Sequence, residues 1–392
     1  ILSGLVGSEM CIRDSPYTGA SGIKLEILSH EQCLRKIEKM MDYPALRKEQ
    51  EEFRKKGIYR GIGIATLIEL TNPSAAFYGV GGARIASQDG ATVRLDPTGM
   101  VSVMVGVGEQ GQGTEGIFAQ IAADAVGVSI KHIRIITGDT DVTPYGGGTW
   151  ASRGAGVGGE AVLRACEALR DNILKLAGVI LKRDSDTLVI RRGNIVDKAS
   201  AEQLLTLSEL GRIGYFRPDT LPADFSVDLM VTRHYAQKDY PFIFTNGVQA
   251  SYVEVDIETG FVKLLKHWAV EDCGRVLNPM LVDEQVRGAI VQGIGGALFE
   301  ECLYDNNGLI RNGNMADYLV PMAYEMPDIE VAHVETPTQS SKLGAKGAGE
   351  AGTAGAPGAV VNAINDALAP FNKHVFDQPI TPEKILRALG KL

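Results

Sequence analysis

Hydrophobic residues recur along the chain with two different periods. Apolar positions at helical spacing predict helices from Glu31 to Met41, from Pro44 to Lys56 and from about Gly159 to Leu181. A nearly continuous apolar run from Gly61 to Leu70 predicts a buried strand, and Leu204 to Leu210 predicts a short helix. Helices and strands are therefore mixed along the chain, which favours an α+β fold.

Two predicted β-hairpins share one arrangement. The first joins Thr92–Leu95 to Val101–Val107 across a tight turn, and the second joins Gly247–Asp256 to Val262–Val270. Each hairpin leads into a glycine-containing loop and then into a helix. This repetition suggests an internal pseudo-repeat, so we expect two related lobes whose loops face one ligand in the cleft between them.

The limits of the lobes follow from changes in composition. Residues 1–15 lack an initiator Met, a basic segment and a cleavage site. We therefore expect this stretch to be a non-native leader and the authentic N-terminal part to be missing. Asp219 to Phe225 is a proline-containing connector that suits a boundary. The predicted organisation is a first lobe over residues 16–218 and a second lobe over residues 219–392.

Composition and charge limit the possible functions. The chain has 392 residues with apolar and charged fractions that are ordinary for a soluble globular protein. A net charge of −9 argues against a nucleic-acid partner, and no apolar run is long enough to indicate membrane association. The five cysteines are scattered without a CxxC pair. They argue against a disulfide framework, a zinc site or an iron–sulfur cluster in this chain and fit a cytoplasmic setting.

A glycine-rich loop near the C-terminus carries one lysine and one carboxylate. It contains Lys346, Gly347, Gly349 and Glu350, and we expect Pro357 in the first turn of the helix that follows. Glycines let a backbone approach a ligand closely, and their amides together with a helix N-terminus form an anion site. A carboxylate buried there has a raised pKa and suits proton abstraction. The alternative is a surface turn with a solvated glutamate.

A second glycine cluster, residues 106–113, matches the GxGxxG pattern and precedes a helix. The strand before it belongs to a hairpin, whereas the dinucleotide fingerprint needs a βαβ unit, so a nicotinamide dinucleotide site is disfavoured. Gln110 and Gln112 flank a glycine and supply uncharged donors and acceptors that can grip a polar heterocycle. The alternative is an exposed polar turn.

Three other residues could take part in a site. Ser152 and Arg153 suit a phosphate or carboxylate, although a helix cap and a surface ion pair would also explain them. Cys273 could present a thiol, but a small buried cysteine is the commoner case. No GxSxG sequence surrounds Ser152, which argues against a serine hydrolase, and the six histidines lack metal-ligand spacing.

Six motifs follow one another at spacings typical of one enzyme family. They are Gly111-Gln112-Gly113, Gly138-Asp139-Thr140, Thr149-x-x-Ser152-Arg153, Asp272-Cys273-Gly274 with Asn278-Pro279, the glycines from Gly288 to Gly295, and Lys346-Gly347-x-Gly349-Glu350. Together they resemble the large, molybdopterin-binding subunit of the xanthine dehydrogenase and aldehyde oxidase superfamily, most of all the large subunit of aerobic carbon monoxide dehydrogenases. The resemblance covers nearly everything from Pro16 to the C-terminus.

The resemblance implies a molybdenum hydroxylase of α+β fold, with two related lobes of hairpins, sheets and helices and a cofactor cleft between them. The cofactor would be molybdopterin, as the cytosine dinucleotide, and would hold the molybdenum without a protein ligand. The resemblance implies cofactor contacts for Gln110, Gly111, Gln112, Gly113, Thr114, Thr149, Ser152, Arg153, Cys273, Asn278, Gln285, Lys346, Gly347 and Gly349.

Glu350 aligns with the catalytic base of the family. It would take a proton as a water-derived oxygen attacks a substrate carbon. Electrons would leave through an iron–sulfur small subunit and an FAD medium subunit, in a dimer of heterotrimers. The absence of cysteine clusters here agrees with iron–sulfur centres lying on another chain.

Two departures from the family pattern leave the substrate open. Thr114 stands where carbon monoxide dehydrogenases usually have His, and the upstream region that would carry their copper-binding cysteine is absent. A purine, an aldehyde or another N-heterocycle is therefore an equal candidate, and we expect this chain alone not to build a complete site. The alternatives from other classes are a non-catalytic cofactor-binding or assembly subunit and an NAD-dependent dehydrogenase.

Overall fold

The computed structural model describes residues 15–20, 22–77, 86–238 and 242–392, so the predicted leader lies outside it except for Ser15. The chain forms two compact units. The first unit takes the chain up to Leu70, Phe244–Pro337 and Ala348–Leu392, and the second takes Thr71–Ile243 and Thr338–Gly347. Neither unit coincides with the predicted lobes 16–218 and 219–392. Within the described ranges, no helix is both long enough and apolar enough to cross a membrane.

Helices and strands are mixed along the chain, as predicted for an α+β fold. The α-helices of the described residues are α1 (His30–Met40), α2 (Tyr43–Arg54), α3 (Thr114–Val126), α4 (Glu160–Leu181), α5 (Leu207–Phe216), α6 (Pro279–Leu298), α7 (Ala351–Leu368) and α8 (Pro382–Leu389). The strands are β1 (Tyr17–Thr18), β2 (Lys24–Leu25), β3 (Tyr59–Thr71), β4 (Asp89–Leu95), β5 (Val101–Val105), β6 (Ile133–Ile136), β7 (Leu188–Arg191), β8 (Asn194–Asp197), β9 (Gln203–Thr206), β10 (Met230–Tyr235), β11 (Ile243–Val255), β12 (Val262–Asp272) and β13 (Ile329–His333). Short 3₁₀ turns lie at Ile130–His132, Ser185–Thr187, Pro218–Thr220, Ala323–Glu325 and Ala369–Phe371, and a π-helical turn at Gly154–Gly159 runs into α4.

The first unit is built on a four-stranded sheet with the order β13-β12-β11-β3. Strands β11 and β12 form the predicted antiparallel hairpin, and β13 pairs with β12 in parallel. Successive side chains of a strand point to opposite faces, so Trp268 packs with Ile37 of α1 while Ala269 packs with Ile290 of α6 and Val360 of α7. The sheet therefore has helices on both faces and a core on each side.

Helix α7 lies directly against strand β3 because the strand has glycines where the helix passes. A Cβ atom added at Gly61 would overlap the carbonyl oxygen of Ala363, and one at Gly63 would overlap that of Ala359. Every larger residue at these positions would push the helix away from the sheet. This close packing holds the helix that follows the predicted catalytic loop.

The prediction that Pro357 lies in the first turn of its helix is wrong. Helix α7 already begins at Ala351, so Pro357 lies inside it, where it offers no N–H to the carbonyl of Thr353. The Thr353 hydroxyl donates to the carbonyl of Ala289 in α6 at 3.0 Å, and a Cβ added at Gly293 would lie 2.9 Å from the Thr353 carbonyl oxygen. Close packing of small residues between α6 and α7 therefore keeps the helix continuous at the proline.

The second unit contains a four-stranded sheet with the order β10-β4-β5-β6 and a three-stranded sheet with the order β7-β8-β9. The predicted hairpin of β4 and β5 is antiparallel, but β5 also pairs in parallel with β6 across helix α3. The glycine cluster at residues 106–113 thus lies inside a βαβ unit, and the expectation that only a hairpin surrounds it is wrong. The hydrogen bonds of the loop itself decide whether it could hold a dinucleotide.

The predicted helix from Leu204 to Leu210 is correct only in its second half. Its first residues form strand β9, which pairs with β8, and helix α5 begins at Leu207. Thr206 caps α5 in a capping box with Glu209, and this threonine-to-glutamate spacing marks the true start of the helix.

Candidate functional site

The loop before α3 encloses the carboxylate of Glu109. One carboxylate oxygen accepts from the backbone N–H groups of Gln110 at 3.1 Å, Gly111 at 2.8 Å and Gly113 at 3.1 Å, and the other accepts from that of Glu115 at 3.0 Å. Partial burial raises the pKa of Glu109, but these four donors outweigh it and hold the pKa below its ordinary value. The amides that would bind a dinucleotide pyrophosphate therefore already hold an internal anion.

The side chains of Gln112 and Thr149 meet at one carbonyl group. The Gln112 amide nitrogen donates to the Gly108 carbonyl at 3.1 Å, and the Thr149 hydroxyl donates to the same oxygen at 2.6 Å. The Gln112 carbonyl oxygen accepts from the Gln110 backbone N–H. An amide group has two donors and two lone pairs, so these bonds use half of its capacity. The structure thus brings the predicted loop and Thr149 together.

The segment after Thr149 has an unusual backbone. Ala151 and Ser152 are consecutive non-glycine residues in the left-handed region, with φ of 46° and 50°. Such a pair costs about 1–2 kcal/mol per residue and persists where the surroundings impose it, which is common at functional sites. The π-helical turn Gly154–Gly159 follows, and a Cβ atom at Gly154 would lie 3.7 Å from the Thr114 hydroxyl. Thr114 and Ser152 therefore belong to the same part of the second unit.

Arg153 is engaged within the protein. Its guanidinium is fully buried and donates to the Asp89 carboxylate at 2.8 Å, to the Gly148 carbonyl at 2.6 Å and to the Ser87 carbonyl at 3.1 Å. Burial raises the pKa of Asp89 and lowers that of Arg153, although their pairing opposes both shifts. The pair fixes the loop that contains Thr149 and Ser152. A contact of Arg153 with a cofactor stays a prediction.

Residues 338–347 bring the predicted Lys346 and Gly347 to this part of the second unit. A Cβ atom on Gly347 would overlap the carbonyl oxygen of Ser152, so the two backbones touch. The Asn72 side-chain amide donates to the Ala345 carbonyl at 3.3 Å, and Lys346 is 3% exposed. The Leu343 backbone N–H donates to the buried carboxylate of Glu160 at 3.2 Å. Three separate segments therefore converge within the second unit, around residues 108–114, 149–153 and 345–347.

The other predicted residues lie in the first unit. Cys273 is buried directly after β12, and Asn278 caps α6 by accepting from the Leu281 backbone N–H at 3.2 Å. The Gln285 side-chain amide of α6 donates to the Gly349 carbonyl at 2.8 Å. Gln285 and Gly349 are therefore brought together, next to the predicted catalytic residue.

Glu350 stands immediately before α7, and its side chain is exposed. The expectation of a carboxylate buried within glycines is therefore wrong for this chain. The reason lies in the helix that follows, because its buried face begins with Ala351, Gly352 and Gly355 and leaves Glu350 on the outer side. The Glu350 carbonyl accepts from the Ala354 backbone N–H at 3.2 Å, so its backbone is part of the first helical turn.

Asp89, Glu109 and Glu160 were missed by the sequence reasoning. Glu109 had a readable signal, because it directly precedes a glycine-rich helix start where backbone N–H groups lack partners. Glu160 is a charged residue at the start of helix α4, fully buried and bonded to Leu343 and Arg164. Asp89 is the first residue of strand β4, and its pairing with Arg153, which lies 64 residues further along the sequence, leaves no local signal.

Gln112, Thr149 and the loop backbones supply neutral amide, hydroxyl and backbone groups, which suit a large polar heterocycle, and buried Lys346 adds one cationic side chain. Within residues 15–20, 22–77, 86–238 and 242–392, no group of three or more His, Cys, Asp or Glu could hold a metal ion directly. The backbones of Gly347 and Ser152 are in contact, and no atom lies within 4 Å of the position of a Cβ atom at Gly148. These segments offer amide, hydroxyl and backbone groups to a large polar ligand.

The chain is similar to one family over most of its length. Residues 36–327 match the family described as molybdopterin cofactor-binding domain. Over 377 residues the chain is 38% identical to the nicotine 6-hydroxylase large subunit of Paenarthrobacter nicotinovorans, covering 96% of this chain and 46% of that protein. It is 30% identical to the carbon monoxide dehydrogenase large chain of Afipia carboxidovorans over 374 residues, covering 93% and 45%.

Comparison with solved structures gives the same result. The quinoline 2-oxidoreductase of Pseudomonas putida 86 superimposes with a TM-score of 0.88 at 37% identity, covering 96% of this chain and 48% of that chain. The chain spans about half the length of the curated relatives it matches.

Proposed function

Because this chain belongs to the molybdopterin cofactor-binding domain family, we propose that it is the C-terminal part of the large subunit of a molybdenum hydroxylase. Such an enzyme transfers water-derived oxygen to a substrate carbon. The observation that carries the proposal is the convergence of three segments within the second unit, around Gln112, Thr149, Ser152 and Gly347. Glu109 already accepts from the backbone amides of the loop, so the side chains of Gln112 and Thr149 supply uncharged groups that suit a pterin ring.

The proposed substrate is an aromatic N-heterocycle. The nicotine and quinoline enzymes share 38% and 37% of their aligned residues with this chain, against 30% for the carbon monoxide dehydrogenase of Afipia carboxidovorans. Thr114 also departs from the His usual in carbon monoxide dehydrogenases, which weakens carbon monoxide as the substrate. Aldehydes and carbon monoxide remain the alternatives that a substrate screen decides.

The proposed cofactor is molybdopterin as the cytosine dinucleotide. When bound, it supplies a molybdenum centre that accepts two electrons from the substrate carbon and activates water-derived oxygen. Gln112 keeps one N–H and one lone pair beyond its bonds within the loop, and Gly108 fixes the direction of that amide. Lys346, buried beside Gly347, places positive charge in the same part of the second unit.

Glu350 is the proposed general base. Its backbone is fixed by the first turn of α7 and by the bond from Gln285 to the neighbouring Gly349 carbonyl, while its carboxylate is exposed. A base needs both a fixed position and access to the reacting proton, and these contacts supply the first. The carboxylate would accept one proton from the attacking oxygen and return it to solvent.

The proposed partners are an iron–sulfur subunit and an FAD subunit, arranged with this subunit as a dimer of heterotrimers in the cytoplasm. The support is that similar proteins carry the names large subunit and large chain, and that one is named subunit gamma of a dehydrogenase complex. The cysteines of the described residues are separate from one another and carry no cluster site, so electrons would need another chain to leave.

The test uses the complete protein that contains this chain, produced with its neighbouring subunits in a host competent for molybdenum cofactor synthesis. We expect near-stoichiometric molybdenum, CMP after acid release, and turnover of nicotine, quinoline or another N-heterocycle. Glu350→Gln should lower kcat by about 10²–10⁴-fold and leave molybdenum bound. Glu383→Gln, an exposed glutamate at the start of α8, is the matched control and should be unchanged. Absence of molybdenum, or full activity of Glu350→Gln, would contradict the proposal.

A further inference from the structure

The first unit contains a row of buried polar side chains on the sheet face that packs against α6 and α7. Gln249 and Ser251 come from β11, and His267 and Glu271 come from β12. All four are at most 1% exposed, although their neighbours on this face are apolar. Buried polar groups are costly unless they bond to one another, so their bonds indicate what the row holds in place.

The orientation of Gln249 follows from its partners. Its amide nitrogen lies 3.1 Å from the Gly352 carbonyl and 3.4 Å from the Ala351 carbonyl. Backbone carbonyls only accept, so the group facing them must be the NH₂. The Gln249 oxygen then accepts from His267 Nε2 at 3.2 Å, and His267 Nδ1 accepts from the Ser251 hydroxyl at 2.8 Å. Burial lowers the pKa of His267 to about 3, which keeps the ring neutral as this arrangement requires.

Glu271 completes the row on the other side of Gln249. Its Oε1 atom accepts from the Gln249 amide at 3.1 Å, and its Oε2 atom is buried. Burial and the neighbouring Glu69 of β3 raise the pKa of Glu271 to about 8, so this carboxyl group is protonated at neutral pH. The other titratable groups near it are His267 on β12, which is neutral, and Cys33 on α1, whose pKa burial raises to about 12. The row is therefore uncharged where it meets α7.

The start of α7 has no room to move against this row. A Cβ atom on Gly355 would lie 2.7 Å from the Gln249 side-chain carbon Cδ and 2.6 Å from Leu67 of β3. A Cβ atom on Gly352 would lie 2.6 Å from the carbonyl oxygen of Val286 in α6. Two helical glycines, each costing helix propensity, thus let the first turn fit between the sheet and α6.

We infer that Gln249 is a positioning residue for Glu350, acting through the first turn of α7. Two side-chain amides hold the backbone on either side of Glu350: Gln285 bonds to the Gly349 carbonyl, and Gln249 bonds to the carbonyls of Ala351 and Gly352. Both bonds involve backbone carbonyls and not the Glu350 carboxylate. The inference rests on the proposed role of Glu350 as the base, but the hydrogen bonds of Gln249 and Gln285 to this backbone are independent of that role.

The experiment compares Gln249→Met with Glu271→Gln in the complete protein. Methionine keeps the length of the side chain and removes its donors, whereas glutamine at 271 keeps a neutral side chain whose oxygen accepts from Gln249. Hydrogen exchange of the amides of residues 354–356 should be about ten-fold faster in Gln249→Met and within about two-fold of wild type in Glu271→Gln. With an N-heterocycle that the wild type oxidises, kcat of Gln249→Met should fall by up to about 100-fold while KM and molybdenum content stay unchanged.

Gln285→Met is a second variant if Gln249→Met fails to fold, since it removes the hydrogen bond from partly exposed Gln285 to the Gly349 carbonyl. It should also speed exchange at residues 354–356. The inference is overturned if exchange there is unchanged in both variants, or if it rises equally across β11 and β12, which would indicate general loosening. Failure of the hydroxylase proposal shows differently, because then no turnover is found while the exchange pattern still reports on the hydrogen bonds of Gln249 and Gln285.

Discussion

Two glycine-rich loops of this chain each bring one glutamate to the start of a helix, yet they use it differently. Before α3, the carboxylate of Glu109 turns into the loop and accepts from the backbone N–H groups around it. Before α7, Gln285 holds the loop backbone at Gly349, and the side chain of Glu350 lies at the surface. One carboxylate is part of its loop's structure, and the other is presented at the surface.

The difference comes from the backbone rather than from the spacing of glycine and glutamate. Gly111 and Gly113 are both left-handed, with φ of 95° and 79°, and they turn successive N–H groups toward Glu109. Glu350 has a φ of −118° and leads directly into a regular helix. A glutamate in a glycine loop is therefore structural when the loop's own donors surround it, and its hydrogen bonds decide this better than its sequence position.

The largest expected effect concerns Asp89, a second carboxylate that is bonded inside the protein. Asp89→Asn removes the charge that compensates fully buried Arg153 and should destabilise the second unit by about 3–5 kcal/mol. The measurement is hydrogen exchange of β4 and of residues 146–153 in increasing urea. Asp219→Asn breaks the exposed pair with Arg217 and should leave stability nearly unchanged, because water screens this pair. Equal effects of the two substitutions would show that burial does not distinguish these carboxylates.

A smaller effect on folding stability, and one of opposite sign, is expected when Glu271 is replaced, because this buried carboxyl group is protonated. Its pKa in the folded protein is raised to about 8, so it favours folding below the ordinary glutamate pKa of 4.5. As pH rises from 4.5 to 8, the unfolded chain ionises first and the wild type loses stability, by at most about 1.4 kcal/mol per pH unit. Glu271→Gln has no such ionisation, so its stability relative to wild type should rise across this window.

The melting temperatures of wild type and Glu271→Gln, compared at pH 5, 6.5 and 8, check this expectation. The difference should grow with pH in favour of the variant. Glu330→Gln, an exposed carboxylate paired with Lys266 on the same sheet, is the control and should give a difference that varies little. A difference independent of pH for Glu271→Gln would mean that this carboxyl group is ionised in the folded protein.

The sequence was sufficient for most of the fold because hydrophobic periodicity is local. Helices α1, α2 and α4 and strand β3 lie where the pattern of apolar residues predicts them. The two failures have physical causes: a capping box at Thr206 starts α5 later than apolar spacing indicates, and small-residue packing extends α7 through Pro357. The family also followed from sequence, because several weak motifs in one order are specific together.

The candidate site was only partly predictable. The second unit does bring residues 110–114, Thr149, Ser152 and Gly347 into one region, and the first unit brings Gln285 to Gly349. The directions of the side chains could not be predicted, because tertiary packing sets them. Arg153 pairs with Asp89, and the Glu109 carboxylate bonds to its own loop. For the same reason the exposure of Glu350 was predicted wrongly, since it depends on which face of α7 is buried.

The smallest effect tests the comparison most directly. Glu109→Gln replaces the internal anion of the first loop by a neutral amide and should destabilise the protein by about 1 kcal/mol at pH 7, because the side chain is partly exposed.

The folded pKa of Glu109 is lowered, so its stabilisation is present above the ordinary glutamate pKa of 4.5 and is lost as pH falls through the lowered value. The difference in melting temperature from wild type should therefore be constant from pH 7 to 5 and shrink below 4.5. Glu115→Gln, which replaces a carboxylate that accepts from the Thr137 hydroxyl at the start of the same helix, is the control. If Glu109→Gln has the stability of wild type at pH 7, the two loops use their glutamates alike and the contrast with Glu350 is lost.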